Sequence, residues 1–388
     1  MKGGIKLKNS RLKGISLFSN VGVAEAYLEE IGIDILIANE IDSSRAKFYK
    51  HLYPKTDMII GDITNESVRD NIVNKANMQE IDILIATPPC QGMSKTGKRD
   101  PFDIRNQLIS YAIDIIKRVK PKFIMIENVP KQLTTKIDYN GERILIPEYI
   151  KRELNEEYYF NDETIVNASF YGVPQNRIRS IFLLSRKDTG IRWNHPDPDK
   201  KSITLQDAIS HLPSLDPLIR EEKYRSIFPK YEEKRKEGLK VSKWHYPPKH
   251  SIRHIIWMMH TPTGKTAFEN KIYYPQKDDG VKIKGRISTY KRFSWDKPAH
   301  TILQNNGVIS SSVCVHPGRL ISDDGTEEGR IYSDPRVLSI YELLIVTSLP
   351  TDWDIPEWAT ETFIRNVIGE GIPPLLVKRI FNELISKL

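Results

Sequence analysis

The chain has 388 residues, 58 Lys and Arg against 50 Asp and Glu, a formal net charge of +8 and two cysteines. That length allows two domains and a sizeable core. Two cysteines exclude a disulfide framework and a cysteine-based zinc site, and no apolar run approaches the roughly 20 residues that span a bilayer.

Up to about Ser185, strand-like and helix-like runs alternate. Lys13–Phe18 reads as a first strand. Val23–Ile31 reads as an amphipathic helix, with Ala24, Tyr27, Leu28 and Ile31 on one face. Asp34–Asn39, Asp57–Ile60 and Ile81–Ala86 read as the next three strands. Ile104–Val119 predicts a long helix with Leu108, Tyr111, Ala112, Ile115 and Ile116 as its apolar stripe, and Lys122–Ile126 a fifth strand. Strands that are apolar on both faces and separated by helices imply an α/β fold with a parallel sheet covered on both sides. Ligands in such sheets bind beyond the carboxyl ends of the strands. Past Ser185, prolines, charges and isolated aromatics take over. Glu221–Lys240 predicts a solvated helix, Trp244–His254 a basic–aromatic segment and Lys282–Arg292 a stretch rich in lysine and arginine. Val337–Ser348 and the residues after Pro374 read as helices.

The residues with chemical potential stand at the predicted strand ends. Cys90 follows Thr87-Pro88-Pro89 just past the fourth strand, with Gly92, Lys95, Gly97, Lys98 and Arg99 after it. A thiol needs nearby cations, a helix N-terminus or a base to ionise at neutral pH; a buried structural role is the other fate of a lone cysteine. Glu127 closes the fifth strand. Partial burial would raise its pKa and let it donate a proton to a ring nitrogen; the alternative is a helix cap or an arginine partner. Arg177 and Arg179, two apart in Gln175–Arg179, would share one side of a strand, as a surface basic strand or as fixed cations near the thiol. Ser16–Gly22 resembles a nucleotide-binding turn but keeps a single glycine, Gly22. Glu40 ends the second strand, where a ribose is usually gripped, and Asp62 follows the third, where an adenine amino group can be held; each acid reads equally as a helix N-cap. The positive net charge favours a polyanionic partner without requiring one. The opening Met1–Arg11 lacks an apolar signal core, and a free thiol fits the reducing cytoplasm.

Taken together and in order, Pro88-Pro89-Cys90-Gln91, Glu127-Asn128-Val129, Tyr171–Arg179, Pro298–Ile302 and Gly369–Pro374 resemble the DNA (cytosine-5) methyltransferase family, especially the bacterial and archaeal modification enzymes. The resemblance implies a Rossmann-like, S-adenosylmethionine-dependent sheet with a second, smaller, irregular target-recognition domain. It implies a catalytic domain over 1–188 and 360–388, target recognition over 189–335 and a return segment over 336–359. Cys90 would attack C6 of a cytosine flipped from duplex DNA, Glu127 would hold N3 and the exocyclic amine, Arg179 would contact O2 and Arg177 would help orient Glu127. Phe18, Ser19, Gly22, Glu40, Ile41, Asp62, Ile63, Pro89 and Glu370 would contact the cofactor. Ser94, Arg105, Arg286, Arg292 and Thr301 would contact DNA. No metal is implied. Expected partners are double-stranded DNA and, in the cell, a restriction endonuclease encoded nearby; a cytoplasmic monomer with no membrane association is expected.

The sequence departs from the family pattern at Ser16 (usually Asp), Asn20 and Val23 (usually Gly) and Glu370 (commonly Asn). A tRNA cytosine-5 methyltransferase shares the thiol and glutamate blocks, but its Cys-Phe-Thr triplet is not found here, since Val315 follows Cys314. A catalytically silent DNA-binding homologue is the remaining alternative; the Cys90, Glu127, Arg177 and Arg179 set speaks against it.

Overall fold

The computed structural model describes residues 11–89, 104–218 and 222–388, leaving aside the side chains of 104, 105, 222, 223 and 225. The chain forms two compact units: Met1–Tyr171, Ile178–Pro198 and Ile372–Leu388 make the first, Gly172–Arg177 and Asp199–Gly371 the second. Residues 336–359, expected as a return segment, and helix Glu361–Glu370, expected in the catalytic domain, fall in the second unit.

The first unit is built on one sheet. Its five leading strands are β1 (Leu12–Leu17), β2 (Ile33–Glu40), β3 (Asp57–Ile60), β4 (Ile83–Ala86) and β5 (Phe123–Asn128). A hairpin, β6 (Lys136–Tyr139) and β7 (Glu142–Leu145), lies apart from the sheet. Then come β8 (Tyr158–Phe160) and β9 (Ile165–Asn167), the short β10 (Gln175–Asn176) of the second unit, and β11 (Ile178–Arg186). The sheet order is β3-β2-β1-β4-β5-β11-β8, with β9 also on β11. The five leading strands are parallel, whereas β11 runs antiparallel to β5, β8 and β9. The sheet is therefore mixed rather than wholly parallel. The apolar run of β11 is buried on both faces, and such a run carries no mark of strand direction.

The connections are helical: α1 (Ser43–Leu52), α2 (Glu66–Asn77), α3 (Leu108–Val119) and α4 (Ile146–Leu154). Asp42 caps α1 by accepting from the Arg45 amide at 2.9 Å. The expected stripe of α3 is the one it buries: Ala112, Ile115 and Ile116 are inaccessible, and Leu108 and Tyr111 pack against the same core. The helix expected over Val23–Ile31 is not an α-helix. Its backbone bonds run from Ala26 to Val23, Leu28 to Glu25 and Ile31 to Leu28, the tighter three-residue winding of a 3-10 path. That path turns Val23, Ala24, Glu25 and Leu28 inward together.

The second unit carries α5 (Leu205–Ile209), α6 (Tyr231–Val241), α7 (Ile252–Met259), α8 (Ile340–Val346) and α9 (Glu361–Glu370). β12 (Ala299–His300) pairs in parallel with β10. Its interior is unusually ionic. Arg336, fully buried, bridges Asp334 at 2.8 Å and Glu342 at 2.7 Å. Asp334 also accepts from the Leu215 amide and the Ser214 hydroxyl, each at 2.8 Å. Charges without water are tolerated only with such full pairing. The last helix, α10 (Pro374–Ile385), belongs to the first unit. None of the helices among the described residues is long and apolar enough to cross a membrane.

Candidate active site

Strand register decides which residues share an edge. Leu17 pairs with Asn39 and with Ala86, Glu40 with Ile60, and Ala86 with Ile126. The residues just beyond these positions, Phe18, Ile41, Gly61, Thr87 and Glu127, therefore line one edge of the sheet, with adjacent strands about 4.8 Å apart. This is the carboxyl edge, where parallel α/β sheets hold their ligands.

At the centre of that edge, Thr87-Pro88-Pro89 is tied on two sides. The Thr87 hydroxyl donates to the Phe18 carbonyl at 3.1 Å and the Asn128 side-chain amide donates to the Pro88 carbonyl at 3.0 Å. Prolines have no N–H of their own to anchor them, so these bonds hold the stretch that precedes Cys90 in the sequence. Cys90 and Ser94 lie outside the described residues, as does the Arg105 side chain, whose backbone sits in the short turn Ile104–Gln107. The second thiol is excluded as a nucleophile: Cys314 lies in an apolar cluster of the second unit, and burial pushes it up to about 12.

Glu127 falls within β5 rather than after it, opposite Ile181 of β11. Arg179 of β11 donates through Nε to Glu127 Oε1 at 2.7 Å, and the side chains are 10% and 11% exposed. Arg179 also donates to the Ile178 carbonyl at 2.8 Å. The pair is thus nearly dry but open to the edge. A guanidinium held this way fixes the carboxyl plane through a charge-assisted bond.

The expected pairing of Arg177 with Arg179 on one strand face is corrected. The strand breaks at Arg177, between β10 and β11, and the two-residue period holds only along an unbroken strand. The Arg177 terminal nitrogens donate to the carbonyls of Ile302, Gly369 and Glu370 at 2.9, 3.1 and 3.0 Å. Arg177 thereby ties three stretches of the second unit together.

The turn after β1 runs through left-handed backbone at Phe18, Asn20 and Gly22, with φ of 57°, 52° and 83°. Asparagine tolerates this region better than most residues, which explains how position 20 dispenses with glycine. Gly22 cannot be replaced so easily: a Cβ there would stand 2.2 Å from the Tyr53 ring. The Tyr53 hydroxyl donates to the Gly22 carbonyl at 2.7 Å. The Glu40 carboxylate accepts from the amides of Asn20 and Asp42, both at 2.9 Å. It therefore shapes the turn whatever else it grips. Ser19 is buried, and its amide and hydroxyl both donate to the Asn39 carbonyl. Asp62, partly exposed, accepts from the Thr64 amide at 2.9 Å. The Ile63 side chain is in the core. Ile41 is 63% exposed at the strand end. An uncovered aliphatic side chain and a half-buried Phe18, flanked by two acceptors, suit an adenosine, which has apolar faces and polar edges.

Of the DNA candidates, Arg286 is exposed. Arg292 is corrected. It is fully buried and donates to the carbonyls of Met258, His316, Ser333 and Asp334 at 2.7–3.3 Å, so it braces the second unit from within. The Thr301 hydroxyl donates to the Asn176 carbonyl at 2.8 Å. The Glu370 carboxylate accepts from the Gln304 amide, within the second unit. The sequence assigns no site role to Thr87, Asn128 or Tyr53. For Asn128 a signal was present: an amide side chain directly after an acid that ends an apolar run.

A family model described as C-5 cytosine-specific DNA methylase matches residues 12–386. The Type II methyltransferase M1.HgaI of Avibacterium volantium is 42% identical over 97% of this chain and 99% of its own length. The Type II methyltransferase M.XorII of Xanthomonas oryzae pv. oryzae is 26% identical over 97% and 85%. Among solved structures, a putative DNA modification methyltransferase encoded within an E. coli prophage superposes with a TM-score of 0.64 at 21% identity, covering 97% of this chain and 99% of that one. At that identity the likeness bears on the fold alone.

Proposed function

Because the chain belongs to the C-5 cytosine-specific DNA methylase family, we propose that its carboxyl edge methylates C5 of a cytosine drawn out of duplex DNA. The observation that carries this reading is the Glu127–Arg179 pair, nearly dry and beside the braced Pro88-Pro89 that leads into Cys90. Cys90, as thiolate, adds to C6 and forms a C–S bond. The displaced electrons collect at C5 and N3, and Glu127 hydrogen-bonds N3 and the exocyclic amine to steady them. Arg179 holds the Glu127 carboxyl in plane and reaches the ring O2. S-adenosylmethionine, when bound, supplies the methyl group that C5 takes up. A base removes the C5 proton, the C–S bond breaks and Cys90 leaves as thiolate.

Phe18 and Ile41 cover the adenine, Glu40 takes the ribose, and Asp62 the adenine amino group. Ser19, Gly22, Ile63 and Pro89 contribute backbone around the same ligand, and Glu370 meets its methionine end. The second unit selects the DNA sequence; Ser94, Arg105, Arg286 and Thr301 contact the strand. The chain works in the cytoplasm as a monomer, with a restriction endonuclease of matching sequence preference as its counterpart.

Purified protein given tritiated S-adenosylmethionine tests this on duplex DNA and on tRNA in parallel. Label in alkali-stable DNA and none in tRNA is expected, and bisulfite sequencing then reports the modified site. Cys90→Ser should abolish transfer and leave cofactor binding intact. Turnover retained in that variant, or label in tRNA alone, refutes the reading.

A further inference from the structure

The far edge of the first unit's sheet carries a feature that methyl transfer does not use. A depression of about 610 Å³ opens beside the edge strand β8, lined among others by Lys151, Asn155, Tyr159, Phe160, Lys187 and Arg192. Its volume falls in the range of small-ligand pockets. It lies against the end of β11 that pairs with the start of β5, since Ser185 faces both Phe123 and Tyr159. Glu127 is four residues further along β5, about 13 Å away along the strand. The depression is therefore separate from the carboxyl edge.

Its charge pattern is selective. The neighbouring cations are neutralised: Lys117 by Glu153, Lys120 by Glu157, Lys122 by Asp82, Arg152 by Glu148 and Arg186 by Asp188, all at 2.6–2.8 Å. Lys151, Lys187 and Arg192 make no salt bridge among the described residues, and these three converge on the depression. No carboxylate lines it. The Arg192 guanidinium sits 4.3 Å from the Tyr159 ring centre and the Lys187 ammonium 5.8 Å, both within cation–π range. Uncompensated cations held over an aromatic ring offer a site for a phosphate with a flat group attached to it. Inorganic phosphate would use the cations and leave the ring and most of the volume idle.

We propose that this depression binds a nucleoside phosphate, presented either free or as part of a polynucleotide strand. Lys151, Lys187 and Arg192 hold the phosphate, Asn155 hydrogen-bonds the sugar or base edge, and Tyr159 carries the base.

The test uses the full chain saturated with S-adenosylhomocysteine, so that the cofactor turn is blocked. Titration calorimetry measures AMP and inorganic phosphate, and fluorescence anisotropy a labelled twelve-nucleotide oligothymidylate. AMP should bind at least about tenfold more tightly than phosphate. Lys187→Glu and Arg192→Glu, both at exposed positions, should each weaken AMP about tenfold or more, with unchanged circular dichroism and methyl transfer. Tyr159→Ala should weaken AMP and leave phosphate unchanged. If the charge reversals also weaken the oligonucleotide, the ligand is a strand; if they weaken AMP alone, it is a free nucleotide. AMP bound no better than phosphate, or indifferent to both charge reversals, overturns the proposal. Should the glutamate variants lose their fold, Arg192→Gln with the same expected direction takes their place.

Discussion

Glu25 offers the sharpest test of the physical reading of the first unit. Its carboxyl is buried, and neither oxygen has a hydrogen-bond partner of good geometry. Around it stand Ser16, Tyr49 and Tyr53. Burial pushes its pKa up to about 7, and the nearby Ser16 hydroxyl offsets only part of that. A carboxyl with a raised folded pKa keeps its proton in the folded state after the unfolded chain has lost it. Stability is therefore unaffected at low pH, falls as pH climbs from about 4.5 to 7, and stays lower above that. At 1.4 kcal/mol per pH unit the loss at pH 8 is about 3 kcal/mol. Glu25→Gln keeps the shape and removes the charge. Urea unfolding should show the variant about 3 kcal/mol more stable than the parent at pH 8, with the gap closing by about pH 5. A variant no more stable at pH 8, or equally stabilised at both pH values, refutes the reasoning. The same geometry accounts for Ser16. A second carboxyl at that position would share an apolar space already holding Glu25, and like charges there cannot both ionise.

Glu127→Gln should slow methyl transfer at least about a hundredfold in single-turnover assays and leave cofactor affinity unchanged; a small effect would make Glu127 structural. Gly22→Ala should abolish cofactor binding by calorimetry, because its Cβ meets Tyr53, whereas Gly32→Ala, at φ 84° but in open space, should cost only about 1 kcal/mol and keep binding. Arg292→Met should unfold the second unit, since it strips donors from four buried carbonyls at about 1–3 kcal/mol each; thermal melts with normal midpoints would contradict this. Arg286→Ala should leave the melt unchanged and lower the slope of log affinity against log salt by about 0.9.

The carboxyl edge was legible because apolar runs ending in Thr87 and in Glu127 announce buried strands and what they deliver. The helices α1 and α2 were not: Ser43–Leu52 and Glu66–Asn77 are largely polar and bury only narrow faces. β8 and β9 are three residues each, too short for any period to declare itself. Arg177 and Arg292 share one lesson. A basic residue in a basic stretch looks like a surface cation, yet five guanidinium donors serve buried carbonyls equally well. Only the tertiary fold tells which carbonyls are waiting.

The first unit is completed by α10, whose residues are made after every residue of the second. The Trp193 indole donates to the Ile380 carbonyl at 3.0 Å, its ring packs 5.1 Å from Phe381, and Lys378 bridges Glu30. On the ribosome the nucleotide-fold half must therefore wait, its hydrophobic flank open to chaperones, while 173 residues of intervening chain, Asp199–Gly371, emerge and settle. A nonsense codon anywhere from Asp199 to Pro373 would spare every strand of the sheet and still deny it its last wall.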